Sequence, residues 1–141
     1  GIKSNTATRL NIDNTPRDLD LINMKTIAEK VFEPLRKFVG GPIAINSFYR
    51  SPKLNSAIGG STSSQHCIGC AIDIDDKYGH KTNAEMYEYI KNNLDYDQMI
   101  WEFGTEDNPD WVHVSYVSED INRRRCLQAY KENKKTKYRI I

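Results

Sequence analysis

The sequence predicts an α+β domain in which helices flank a small antiparallel sheet. Between about residues 19 and 38, apolar residues recur at three- and four-residue steps, as on one face of a helix. Residues 71–75 alternate with the period of a strand, and two further strand patterns, at about 98–103 and 111–116, are joined by a polar loop suited to a hairpin. Helices and hairpin strands mixed in this way are typical of the α+β class.

The N-terminal half supplies the first helix and the first strand. Residues 1–15 are polar and are expected to be irregular. The helix that follows contains Pro34, which should kink it or begin its last segment, and Gly40-Gly41-Pro42 ends it. Residues 43–47 predict a short strand, and Pro52 stands in the first turn of a short helix.

The C-terminal half supplies a second long helix and the hairpin. Thr82 and Glu85 have capping-box spacing and start a helix that runs to about Asn93. In the hairpin, stacking of apolar residues selects the register and leaves Glu102 and His113 on the same, more polar face, within diagonal reach. Residues 138–141 are a candidate edge strand.

Composition limits the classes of function. The 141 residues fit a single domain spanning 1–141, with Gly1 interpreted as an expression scar before a truncated N-terminus. The 20 Lys and Arg nearly balance the 19 Asp and Glu, which argues against nucleic acid or an anionic membrane as the partner. The apolar runs are too short for insertion into a membrane. Three cysteines do not indicate a disulfide framework. We expect the protein to be a monomer.

Two histidines and one aspartate are candidate metal ligands. His66 lies seven residues before Asp73, and a reversal at Gly69 would bring both side chains to one point, where His113 could join them. Such a set leaves a tetrahedral zinc ion with one open position for water. The metal lowers the pKa of that water to about 7, and a nearby carboxylate can take its proton. From the residues alone, an ordinary surface histidine and a solvated aspartate remain the alternative.

Three segments resemble the zinc D-Ala-D-Ala metallopeptidases. Residues 64–73, SQHCIGCAID, match the family motif S-x-H-x-x-G-x-A-x-D, and residues 111–113, WVH, resemble the closing W-x-H. Residues 46–52, NSFYRSP, resemble the segment that precedes the motif. The likeness covers about residues 5–135 and is greatest to a phage- and prophage-associated branch with a WVHVS ending. It implies a Hedgehog/D-Ala-D-Ala peptidase-like fold with zinc at the face of the sheet.

The resemblance also implies roles for single residues. His66, Asp73 and His113 would be the zinc ligands, with zinc-bound water as the nucleophile. Arg50 occupies the position of the family arginine that binds substrate and stabilises the oxyanion, a task suited to a planar guanidinium. Further candidates for hydrogen bonds to substrate are Ser47 and Ser115.

The general base is where this sequence departs from the better-known members. They carry Glu three residues before the last histidine, and Asp110 stands at that position here. Aspartate is one methylene shorter, which puts its reach in doubt. Glu102 is the preferred base because it shares a face with His113, and Asp110 remains the rival.

The function implied by the resemblance is a zinc peptidase that acts on peptidoglycan stem peptides of the bacterial cell wall. Both a D,D-carboxypeptidase and an L-Ala-D-Glu-type endopeptidase fit it. One alternative is a non-catalytic wall-binding or phage-particle domain that retains the zinc fold. Another is redox or structural-zinc chemistry at Cys67 and Cys70, although a lone C-x-x-C without a second pair is a weak signal.

Overall fold

The computed structural model describes residues 4–61 and 63–141, so Gly1 lies outside the described residues. Within them, six strands form one sheet in the order β1-β2-β4-β3-β5-β6. The strands are β1 (Ala44–Ser47), β2 (Ala71–Asp75), β3 (Gln98–Glu102), β4 (Trp111–Ser115), β5 (Arg125–Glu132) and β6 (Lys135–Ile140). The α-helices are α1 (Asn5–Arg9), α2 (Asp18–Ile27), α3 (Glu33–Val39), α4 (Pro52–Ala57) and α5 (Asn83–Asn93), with a π-helical segment at Ala28–Phe32 and a 3₁₀ turn at Gln65–Ile68.

The α+β class is confirmed, but the prediction of an antiparallel sheet is wrong for one pair of strands. β3 and β5 are parallel, whereas every other neighbouring pair is antiparallel. β4 ends beside the start of β3, and residues 116–124 turn back at that point. Arg123 pairs there with Asp97 at 2.9 Å, and the Arg125 amide donates to the Asp97 carbonyl. β5 therefore begins beside the start of β3 and runs in the same direction.

One face of the sheet forms the core. Ile72 and Ile74 of β2 and Val112 and Val114 of β4 are fully buried against the α2–α3 segment and α5. Strand side chains alternate between the two faces, so Asp73 and His113 lie on the opposite face. The packing of one face thereby determines which residues the other presents.

Most of the predicted elements are confirmed. Pro34 stands in the first turn of α3, directly after the π-helical segment. Thr82 caps α5, with Glu85 completing the capping box. β6 is the edge strand at one side of the sheet. The expectation of an irregular stretch over 1–15 is wrong in part, because the Ser4 hydroxyl accepts from the Ala7 amide and caps α1.

A helix that spans a bilayer needs about 20 predominantly apolar residues. No helix in 4–61 or 63–141 is both long and apolar enough to cross a membrane.

Candidate active site

A tight turn presents His66 to the sheet. The Ser64 hydroxyl caps the 3₁₀ turn, and Gly69 ends it with φ of +76°. A Cβ at Gly69 would lie 2.5 Å from the carbonyl oxygen of Asp20, so only glycine fits this reversal without a shift of the backbone. The predicted reversal is confirmed, and it leaves His66 almost fully buried beside β2.

Asp73 and His113 reach the same point from neighbouring strands. They are register partners on β2 and β4, so their side chains stand side by side on one face. His113 Nδ1 lies 2.9 Å from Asp73 Oδ1, and His66 Nε2 lies 3.3 Å from the same oxygen. One ligand atom from each residue can be chosen so that all three lie within 4.8 Å of one another. The group could therefore hold a metal ion.

The hydrogen bonding of His66 fits a cation at this place. Its Nδ1 lies 2.7 Å from the backbone carbonyl oxygen of Phe48, which can only accept, so Nδ1 donates. A neutral His66 then turns the lone pair of Nε2 toward Asp73. Two acceptors 3.3 Å apart need a cation between them, either a second ring proton or a metal ion. A carbonyl that fixes the tautomer and orientation of a ligating histidine is a recurrent feature of metal sites.

Asp73 is kept ionised in this group. Burial alone would raise the pKa of its carboxyl, but hydrogen bonds and positive charge from His113 and His66 outweigh burial and hold the pKa well below its usual range. The carboxylate is thus available as an anionic ligand.

Glu102 lies beside the group, at the end of β3. The register pairs Glu102 with Trp111 and Ile100 with His113, which confirms the predicted diagonal relation of Glu102 to His113. The Glu102 side chain is buried, with 8% exposed. Burial and the charge of Asp73 raise its pKa to about 8. A carboxyl with such a pKa can bind and release a proton near neutral pH, as general acid–base catalysis requires.

Asp110 is placed differently. It is exposed, precedes β4 and is absent from the described lining of the cleft. Its backbone amide donates to the Glu102 carbonyl, and its own carbonyl accepts from the Asn83 side chain. These contacts position the backbone of the hairpin.

Arg50 lies on the β1 side of the group. Its backbone amide donates to the His66 carbonyl at 3.0 Å, and Nη2 lies 3.4 Å from the Ser64 hydroxyl. Its Nε is buried and has no hydrogen-bond partner among the described residues. The guanidinium is therefore a positioned donor with unused capacity.

Ser47 and Ser115, the two serines expected to bind substrate, differ in environment. Ser47 is the register partner of Asp73 on β1 and is half-buried. Ser115 is fully buried, and its hydroxyl is hydrogen-bonded to the backbone of Gln98. Neither is among the described lining of the cleft.

A cleft of about 890 Å³ surrounds the group. Arg50 and residues 59–61, 63 and 64 form one side, while Leu127, Lys131 and Tyr138 of β5 and β6 form the other. The sequence predicted no strand at β5 and no role for this hairpin. The apolar residues Leu127 and Ala129, two positions apart and both buried, were the signal that could have revealed the strand.

The cysteines are separate from the group. Cys67 and Cys70 are free thiols, and burial, with a contribution from Asp97, raises the pKa of Cys70 to about 11. A thiol with such a pKa rarely forms the thiolate that metal binding or redox chemistry needs.

A comparison with protein families decides the wider assignment. The family model for Peptidase M15 matches residues 2–115, most of the chain. The chain belongs to peptidase family M15. Members are zinc-dependent metallopeptidases, and the matched residues include the whole His66–Asp73–His113 group and Glu102. The hairpin of β5 and β6 lies beyond the match. No curated protein matches the chain.

Proposed function

We propose that this M15 peptidase hydrolyses peptide bonds in the stem peptides of bacterial peptidoglycan, with Glu102 as the general base. One observation carries the proposal. A buried carboxyl, Glu102, lies on the same face as a His-Asp-His group, in a cleft that also contains Arg50. A binding scaffold has no need of a desolvated carboxyl beside a metal-ligand set with an open side.

His66, Asp73 and His113 would hold zinc. When bound, zinc supplies a Lewis acid for the scissile carbonyl and lowers the pKa of a water molecule. The carbonyl of Phe48 keeps the proton of His66 on Nδ1 and so leaves Nε2 free to ligate. Asp73 contributes the negative charge of the set.

Glu102 would move the protons. Its carboxylate accepts a proton from the attacking water and afterwards donates it to the nitrogen of the leaving amine. Burial supports the first step, because a desolvated carboxylate binds a proton more strongly than an exposed one. The exposed position of Asp110 supports Glu102 in preference to it.

Arg50 would bind the substrate. Arg50 lines the cleft, and its guanidinium can bind a carboxylate or the oxyanion that develops at the scissile carbonyl. We assign no substrate contact to Ser115, because its hydroxyl already binds the β3 backbone.

Two bonds of the stem peptide are candidates for the bond that is cut. A D,D-carboxypeptidase releases a single terminal residue, whereas an L-Ala-D-Glu-type endopeptidase releases the whole remaining stem. Mass spectrometry of purified peptidoglycan after digestion distinguishes these products directly. Zinc-loaded wild-type protein should release stem fragments, and a His113→Ala variant should not.

The same digest also tests the rival function. If wild-type protein binds peptidoglycan but releases no fragment from several stem chemistries, the peptidase proposal is wrong. A wall-binding or phage-particle domain would then be the better account.

A further inference from the structure

We propose that Lys131 forms a second anion subsite of the cleft, which binds a substrate carboxylate on the side of the scissile bond away from Arg50. This inference rests on the proposed function and specifies its substrate as a peptide with a carboxylate on each side of the bond that is cut. The hairpin that carries Lys131 lies beyond the family-matched residues. The family match therefore gives no account of this subsite.

The register places the hairpin against the catalytic face. Glu102 pairs with Ala129 on β5, and Ala129 pairs with Tyr138 on β6, so the three side chains form a row across one face of the sheet. Lys131 is two residues after Ala129 on the same face and lines the cleft. Tyr138 also lines the cleft, and burial and the charges of Glu102 and Asp73 raise its pKa.

Lys131 is oriented without being neutralised. Its Nζ donates to the Thr136 hydroxyl at 2.7 Å and lies 5.4 Å from the centre of the Phe103 ring. Within the described ranges it forms no ion pair. Arg123, another cation of the cleft, is by contrast paired with Asp97. Lys131 therefore keeps its full charge for a ligand.

Charge is distributed unevenly along the chain, and positive charge is concentrated in the C-terminal segment that carries Lys131. Residues 123–141 contain eight Lys and Arg against one Glu, while residues 1–122 contain twelve Lys and Arg against eighteen Asp and Glu. The near-neutral total conceals this asymmetry. A basic C-terminal segment on a chain that is otherwise acidic attracts an anionic substrate toward the side of the cleft that carries Lys131.

The two cations stand on opposite sides of the metal-ligand group. Arg50 follows β1, the ligands Asp73 and His113 are on β2 and β4, and Lys131 is on β5. A peptide that lies across the strands would meet one cation on each side of the reacting bond. Stem peptides suit this arrangement because they carry more than one carboxylate.

Calorimetric titration with stem pentapeptides tests the subsite independently of turnover. In each peptide a different single carboxylate is replaced by a carboxamide. The protein is the zinc-loaded Glu102→Gln variant, so that the peptides are bound but not cleaved. Replacing the carboxylate that Lys131 binds should weaken binding about five-fold, which is the upper end of the effect of an exposed ion pair. Adding Lys131→Met should abolish that difference, while Lys131→Arg should restore it.

Lys135→Met is the matched control. It removes the same charge from the same hairpin, but Lys135 is on the face opposite to Lys131 and outside the lining of the cleft. It should leave the five-fold difference intact. Equal sensitivity to Lys135→Met, or the absence of any carboxamide effect that depends on Lys131, would overturn the subsite. Failure of the wild-type protein to cleave any stem peptide would instead contradict the proposed function. The calorimetric comparison of the carboxamide peptides would still decide whether Lys131 forms the subsite.

Discussion

His113 and Asp73 face each other across neighbouring strands, with Nδ1 of the histidine 2.9 Å from Oδ1 of the aspartate. The same oxygen is 3.3 Å from Nε2 of His66, whose other ring nitrogen is committed to the Phe48 carbonyl. Three ligand atoms converge where a cation is needed to offset the repulsion between acceptors. This convergence connects the fold to the chemistry of the family.

Zinc should stabilise the wild-type protein and fail to stabilise Asp73→Asn. At a free zinc concentration one hundred times Kd, binding adds about 2.7 kcal/mol to the free energy of unfolding, which raises Tm by roughly 10 °C for a chain of this size. The variant loses the anionic ligand but keeps its shape. Thermal unfolding with and without zinc measures the difference, and an equal rise in both proteins would exclude Asp73 as a ligand.

Gly69→Ala should weaken both the fold and metal binding. The added methyl group meets the Asp20 carbonyl and forces a left-handed backbone on alanine, at a cost of about 1–3 kcal/mol. The shift should displace His66 and lower zinc affinity. Gly79→Ala is the control, because Gly79 has a similar φ of +77° and open space around its Cβ position. Denaturation and zinc titration of both variants should show reduced zinc affinity only for Gly69→Ala.

The stability of the metal-free protein should fall as pH rises from about 5 to 8. Glu102 has a pKa of about 8 in the folded protein, above its ordinary value of 4.5, so the folded state holds a proton that the unfolded chain has released. The associated stability is complete below pH 4.5 and is lost as pH rises through 8. Glu102→Gln should flatten this dependence in urea denaturation. Asp73 does not interfere, because its lowered pKa affects stability only in acid.

Glu102→Gln should reduce kcat by a factor of about 10² to 10⁴ while zinc content is retained. The amide has the shape of the carboxyl but cannot accept the proton. Asp110→Asn should leave kcat nearly unchanged, since Asp110 is exposed and is not among the described lining of the cleft. Steady-state kinetics on a stem peptide checks both. Reversed effects of the two variants would make Asp110 the base.

Local patterns were sufficient to predict much of the fold. Alternation at residues 71–75 and apolar stacking in the hairpin determined which side chains share the polar face, and the structure has Asp73, His113 and Glu102 there. The capping box at Thr82 and the reversal at Gly69 were equally local signals. Such features depend on neighbouring residues in the chain, which is why one sequence reveals them.

The features that were missed depend on long-range pairing. The parallel arrangement of β3 and β5 follows from the turn that Arg123 and Asp97 hold, and these residues are 26 positions apart. The wall of the cleft formed by Lys131 and Tyr138 exists only because of that arrangement. The tautomer of His66 depends on a carbonyl 18 residues away. Sequence periodicity contains no record of such contacts.

Titration of chelator-treated protein with zinc, while the release of stem fragments is followed by mass spectrometry, tests the central claim most directly. One metal ion at His66, Asp73 and His113 should be sufficient, so activity should rise in proportion to zinc and reach its maximum at one equivalent. His113→Ala should stay inactive throughout the titration. Cleavage that persists in the metal-free protein, or that returns fully in His113→Ala, would contradict the account.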